Sequence, residues 1–139
     1  MPYTHELYPR EKYALVTAEG PCDLDQTIVA LRTLVRDPEF GAGFGVLVDA
    51  RRIEYTPGAE ETRQIATLAT HRDLLLHHPL AIAAEQDLNY GIARMFSAMS
   101  SLQGGTVEVF RDLKEARAWL ITALETGRAR GPSETGEET

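Results

Sequence analysis

A chain of 139 residues, 43% hydrophobic and 25% charged, has the size and composition of one globular domain with a real core. Its net charge of −7, with only 14 Lys and Arg scattered along it, argues against a nonspecific nucleic-acid binder, which clusters cations on phosphates. The single cysteine, Cys22, excludes an intrachain disulfide and a four-thiolate zinc site, and the longest aliphatic run, Leu80 to Ala84, is too short to span a bilayer.

The opening MPYTHELYPREKY lacks a basic stretch followed by an apolar one, so a cytoplasmic protein is expected. Residues 3–8 and 13–19 are short β-type segments joined by the hairpin-like Pro9-Arg10-Glu11-Lys12. Asp23 with Gln26 three residues later starts a helix, and Leu24, Ile28, Leu31 and Val35 carry its period until Asp37-Pro38 ends it. After the glycine-rich residues 39–44, the run Val46-Leu47-Val48 reads as a strand buried on both faces.

The segment Tyr55-Thr56-Pro57-Gly58 then leads into a helix from Ala59, with Thr56 as its cap, Pro57 at its first position, and Glu60 and Glu61 favoured by the dipole. Ile65, Leu68 and Ala69 face inward, and the helix ends before Pro79. Residues 80–84 form another buried strand. Asp87 is the expected cap of a third helix whose apolar face is Leu88, Ile92, Met95, Phe96, Met99 and Leu102, closed by Gly104-Gly105. A strand over 106–110 and a capping box, Asp112 to Glu115, open a last helix burying Leu113, Ala116, Trp119, Leu120 and Ala123. The order ββαβαβαβα predicts an α/β fold: a mixed, mostly parallel five-stranded sheet with four helices and right-handed crossovers. Residues 1–125 are expected to form the domain, and residues 126–139, nearly devoid of apolar side chains, a disordered acidic tail.

The stretches VLVDARR (46–52), LAIAAEQDLNYGIARMF (80–96) and VEVFRDLKEARAWL (107–120), in this order of elements, resemble the SpoIIAA-like proteins. That group is related to the STAS domains of anti-sigma factor antagonists and sulfate transporters. The resemblance implies a small cytoplasmic bacterial protein that acts by binding and not by catalysis, with a second copy, another protein or a nucleotide as its contact. Some relatives are also likened to lipid-carrying CRAL-TRIO domains, which implies a small apolar ligand as the alternative. In STAS phospho-switches a serine caps the helix after this strand, and Thr56 is the residue here that could take the phosphate. Glu60 and Glu61 would repel it.

Several residues invite chemistry. Parallel sheets bind ligands beyond the carboxyl ends of their strands, here marked by Asp49, by Glu85 with Asp87, and by Arg111 with Asp112. An enzyme would use Asp49 and Glu85 as a paired acid and base; strand-end acids also arise simply because Asp caps the next helix. Tyr90 and Arg94, one turn apart, could present a phenol and a cation there, and Met95 and Met99 an adaptable apolar wall. Asp49, Tyr90, Arg94, Met95 and Met99 are therefore the expected ligand-binding set. His71, His77 and His78 lack the one-turn spacing of a zinc helix, so no metal is expected, and no cofactor. Leu74, Leu75 and Leu76 cannot all face one core from a single helix, which makes them the expected surface for a homodimer or a protein partner.

Overall fold

The structure, a computed structural model, describes the backbone of residues 2–138 and the side chains of residues 2–127. The tail expected over residues 126–139 therefore lies almost wholly outside the described side chains. The elements are β1 (Tyr3–Tyr8), β2 (Tyr13–Pro21), α1 (Leu24–Arg36), β3 (Gly45–Glu54), α2 (Ala59–Ala69), β4 (Leu80–Ala83), α3 (Asp87–Leu102), β5 (Val107–Phe110) and α4 (Leu113–Glu138). Their order is the expected one, in a five-stranded mixed sheet.

The strands lie in the order β1-β2-β3-β4-β5; β1 pairs antiparallel with β2, and the other neighbours are parallel. Each crossover thus steps to the next strand in the same direction, and right-handed crossovers that never reverse place α1, α2 and α3 on one face. The core divides accordingly. Val46, Leu80 and Ile82 join Leu34 of α1 and Phe96 of α3 on that face, while Leu47, Ala81 and Ala83 join Ala116, Leu120 and Leu124 of α4 on the other. Successive residues of β3 and β4 point to opposite faces, which is why both strands read as unbroken apolar runs. A sheet without reversal also has no topological switch point, so the strand-end crevice expected around Asp49 and Glu85 has no topological basis.

Local caps follow the sequence where the partner is three residues away. The Asp23 carboxylate accepts from the Gln26 backbone N–H at 2.8 Å, and Asp112 from Glu115 at 3.1 Å. Three other expectations are corrected. Gly58, not Thr56, is the N-cap of α2, because Thr56 is drawn instead to α3, its hydroxyl donating to Asn89 Oδ1 at 2.7 Å. Gln86, not Asp87, caps α3; Asp87 begins the helix and accepts from Arg111 at 2.7 Å. And α2 stops at Ala69, with residues 70–77 forming turns in which the Leu75 N–H reaches back to Ala69 O at 2.9 Å.

The strand that seemed to break at Asp49 runs on to Glu54. It does so against β2, with Glu19, Gly20 and Pro21 opposite Arg52, Ile53 and Glu54. Between Thr17–Asp49 and Glu19–Arg52 the register gains one residue on β3, a bulge opposite Ala18. A bulge interrupts the alternation of faces, and its effect is that Ala50 and Ile53 both reach the side covered by α1–α3.

Candidate functional site

On that side of the sheet, under the three helices, lies a cavity of about 190 Å³. Voids larger than a water molecule are few in close-packed interiors, and an apolar cavity of roughly 150 Å³ suffices to hold benzene. Its origin is visible in the residue types. Alanines stand on its walls at Ala30 of α1, Ala50 of β3, Ala69 of α2, Ala84 after β4 and Ala93 of α3, where longer side chains would meet in the middle. The remaining apolar wall is large: Ile53, Ile65, Ile82, Ile92 and Phe96 among others.

The cavity is closed at one end and wet at the other. Leu34, Val46, Leu75 and Leu80 at the closed end are buried, whereas Tyr3, Thr27, Tyr55, Pro57 and Asn89, beyond the carboxyl ends of the parallel strands, are only half-buried. At this mouth Tyr3 Oη lies 2.9 Å from Thr27 Oγ1, and Cys22 Sγ is 3.6 Å from the same hydroxyl. Tyr55 donates to Glu61 Oε1 at 2.7 Å. Burial is the main reason that both phenols are held above the usual tyrosine range; for Tyr55 the bonded Glu61 carboxylate adds to it.

The residues expected to bind a ligand are dispersed. Asp49 lies on the α4 face of β3, where Arg51 folds back on it, Nε to Oδ1 at 2.8 Å and a second guanidinium nitrogen to Oδ2 at 3.0 Å. Those charge-assisted bonds hold the carboxyl below the ordinary aspartate range, although burial opposes them. A general acid or a proton-sharing pair needs the opposite shift, and Glu85 is exposed and bonded to Arg111 only through its backbone oxygen, at 3.1 Å. Asp49→Asn should cost about 1.5–3 kcal/mol near neutral pH by leaving the Arg51 fork half-empty. Because the folded value is lowered, that stability is present above the unfolded value near pH ~4 and fades as pH falls through the folded one. Urea unfolding at neutral and acid pH checks it: the gap between the two proteins should close in acid.

Tyr90 and Arg94 border a polar groove with Ser97 and Glu108, between α3 and the edge strand β5 and apart from the apolar cavity. Tyr90 is covered by Arg111, 4.2 Å from the ring centre, rather than by Arg94. Met95 and Met99 are half-buried but do not line the cavity; Asn89, Ile92, Ala93 and Phe96 do, the i, i+3, i+4, i+7 stripe of α3. The alanines at sheet-facing positions were the available signal, and single-sequence periodicity does not distinguish an alanine at a void from one at a close contact.

Leu75 is buried, 6% exposed, and belongs to the core, while Leu74 and Leu76 are half-buried. Among the described residues the large exposed apolar ones are Val29, on α1, and Leu88 and Leu102, at the two ends of α3, which is about 24 Å long, so they do not form one patch. His78 Nδ1 lies 2.8 Å from Phe44 O and its ring stacks on Phe40, with burial holding its pKa below the usual histidine value. His71 meets Asp73 in its own turn. Among the described residues no three His, Cys, Asp or Glu side chains come together as a metal site, and no helix is long and apolar enough to cross a membrane.

No protein-family model matches this chain, and none of the curated proteins matches it. Among solved structures it is similar to a protein of Shewanella loihica PV-4, described as an uncharacterized protein of the DUF3478 family with a SpoIIAA-like fold. The two share 17% identity at a TM-score of 0.53, over 85% of this chain and 91% of the other. A singly wound mixed sheet with three helices on one face and the last on the other, superimposing on that protein over most of both chains, is the SpoIIAA-like, STAS-like fold.

Proposed function

We propose that the protein is a non-enzymatic binding module that carries or senses a small amphipathic molecule, its apolar body held in the cavity between the sheet and α1–α3. The cavity carries this reading: about 190 Å³ of apolar space, closed at Leu34 and Leu80 and open at a ring of hydroxyl and amide groups. A few convergent polar groups on an apolar pocket are what a site needs to orient one end of a ligand while burial supplies the affinity. The alternative of a surface for a protein partner loses its central residue, because Leu75 is core.

Toluene, a probe with no polar end, tests it directly. Titrated into the wild-type protein, it should shift the methyl resonances of Ile53, Ile65, Ile82 and Ile92 and leave those of Leu47 and Leu124 on the other face unmoved. Ala93→Phe puts a ring into the cavity at a cost of about 1–3 kcal/mol, leaving the protein folded, and should abolish the shifts. Absence of any shift in the wild type near toluene saturation would overturn the reading.

A further inference from the structure

The mouth of the cavity is where the ligand's polar end must sit, and its charges are arranged in a definite way. Three helices begin there, α1 at Leu24, α2 at Ala59 and α3 at Asp87. Helix N-termini attract anions, but each of these already carries its own: Asp23 and Asp25 on α1, Glu60 and Glu61 on α2, Asp87 on α3. The arginines of the region are paired as well. Arg51 is held by Asp49, Arg52 faces Glu19 at 3.9 Å, Arg63 binds Glu60, and Arg111 binds Asp87. Among the described residues, no charged side chain lines the cavity.

What the mouth does offer is neutral hydrogen bonding. Thr27 Oγ1 donates to Asp23 O at 2.9 Å, so the 2.9 Å bond between the two hydroxyls is donated by Tyr3, whose oxygen is left to the ligand as an acceptor. Tyr55 donates a hydrogen bond to Glu61, which leaves its oxygen as an acceptor and puts a carboxylate directly behind it. The Asn89 oxygen is taken by Thr56, and among the described residues no acceptor holds its amide nitrogen, which can donate to the ligand. A carboxylate or phosphate placed here would surrender water for acceptors and for repulsion from Glu61, with no cation among the residues lining the cavity to compensate. The upward displacement of both phenols records the same resistance to negative charge.

Resting on the cavity reading above, we infer that the ligand's polar end is an uncharged hydroxyl, carbonyl or amide group received by Tyr3, Tyr55 and Asn89, and that the site rejects acids, fatty acids and phosphate esters. The ligand class is thus a small neutral amphiphile, such as an alcohol, ketone or amide with a compact apolar body. In this site Glu61 acts as the selectivity residue, through its charge and through the hydrogen bond it accepts from Tyr55.

Hexanol, hexanoate and hexylammonium carry one alkyl chain with three head groups, and calorimetric titration near neutral pH, with toluene as the headless control, separates the possibilities. Hexanol should bind best, with hexanoate weaker by about ten-fold or more, the equivalent of one unpaired buried polar group. Glu61→Gln removes the charge from a half-buried surface position and keeps the fold; it should raise hexanoate affinity relative to hexanol by about three-fold or more while leaving toluene, which has no head group, within about two-fold of wild type. Tyr55→Phe should weaken hexanol by about three-fold or more and leave toluene unchanged. Hexanoate binding as tightly as hexanol, or hexylammonium binding about ten-fold tighter than hexanol, overturns the neutral head group while the cavity reading stands. Failure of toluene itself to bind overturns the cavity reading first, and this inference with it.

Discussion

Leu75→Asp should remove much of the protein's stability. The side chain is 6% exposed, packed in the cluster that holds Val46, Leu80 and Ile82, and its backbone N–H closes the turn onto Ala69 O at 2.9 Å. A carboxylate there gives up hydration in an apolar pocket with no cation among the cluster residues, and the excised leucine leaves a void besides. The combined loss exceeds about 4 kcal/mol, against a total stability for a domain of this size of about 5–15 kcal/mol. Far-ultraviolet circular dichroism and a thermal melt check it, and a cooperative transition within a few degrees of wild type would show that Leu75 is not where the structure places it. Leu74→Asp and Leu76→Asp, at half-buried positions, should both fold with smaller losses. The set therefore separates core from surface in a stretch where sequence suggested one common interface.

The second large effect is a coupling across the other layer. Gly45 opens β3 directly under α4, and a Cβ added to it would stand 2.7 Å from Leu120 Cδ1 and 3.1 Å from its Cγ. Leu120 is fully buried, so it has no solvent side to retreat to, and Gly45→Ala should cost about 1–3 kcal/mol through strain. Leu120→Ala alone empties the same space and should cost about 2–5 kcal/mol. In the double variant the new methyl enters the void that the leucine left. Its loss should fall short of the sum of the two by more than about 1 kcal/mol, where unconnected sites add within about 0.5 kcal/mol. Urea unfolding of the four proteins measures this; strict additivity would mean that α4 does not seat on Gly45.

The opening of β3 and its far end differ in how much of them a sequence can reveal. Val46-Leu47-Val48 announces a two-sided strand because both faces are covered, by α1–α3 and by α4. Past Asp49 the composition turns polar, Arg51-Arg52-Ile53-Glu54, and nothing local says that the chain stays extended. It does so because β2 reaches equally far, and the pairing of Glu19 through Pro21 with Arg52 through Glu54 supplies the backbone partners. Thr56 is similar. Its hydroxyl, beside the start of a helix, reads as a cap, yet Asn89, 33 residues later in the chain, takes it.

The sequence by itself determined the order of elements and the α/β class, since helical and strand periods are local and the caps at Asp23 and Asp112 act over three residues. It determined the absence of an intrachain disulfide and the acidic balance, which are matters of composition. Only the tertiary structure decided that the strands stack in simple succession, which puts three helices on one face and denies the strand ends a switch point. It alone decided the cavity, because Ala30, Ala50, Ala69, Ala84 and Ala93 come from five separate segments, and a void exists only where their missing side chains face one another. An alanine is the same residue at a tight contact and at the wall of a pocket; what distinguishes the two is the distance to the opposite wall, a quantity that no single segment contains.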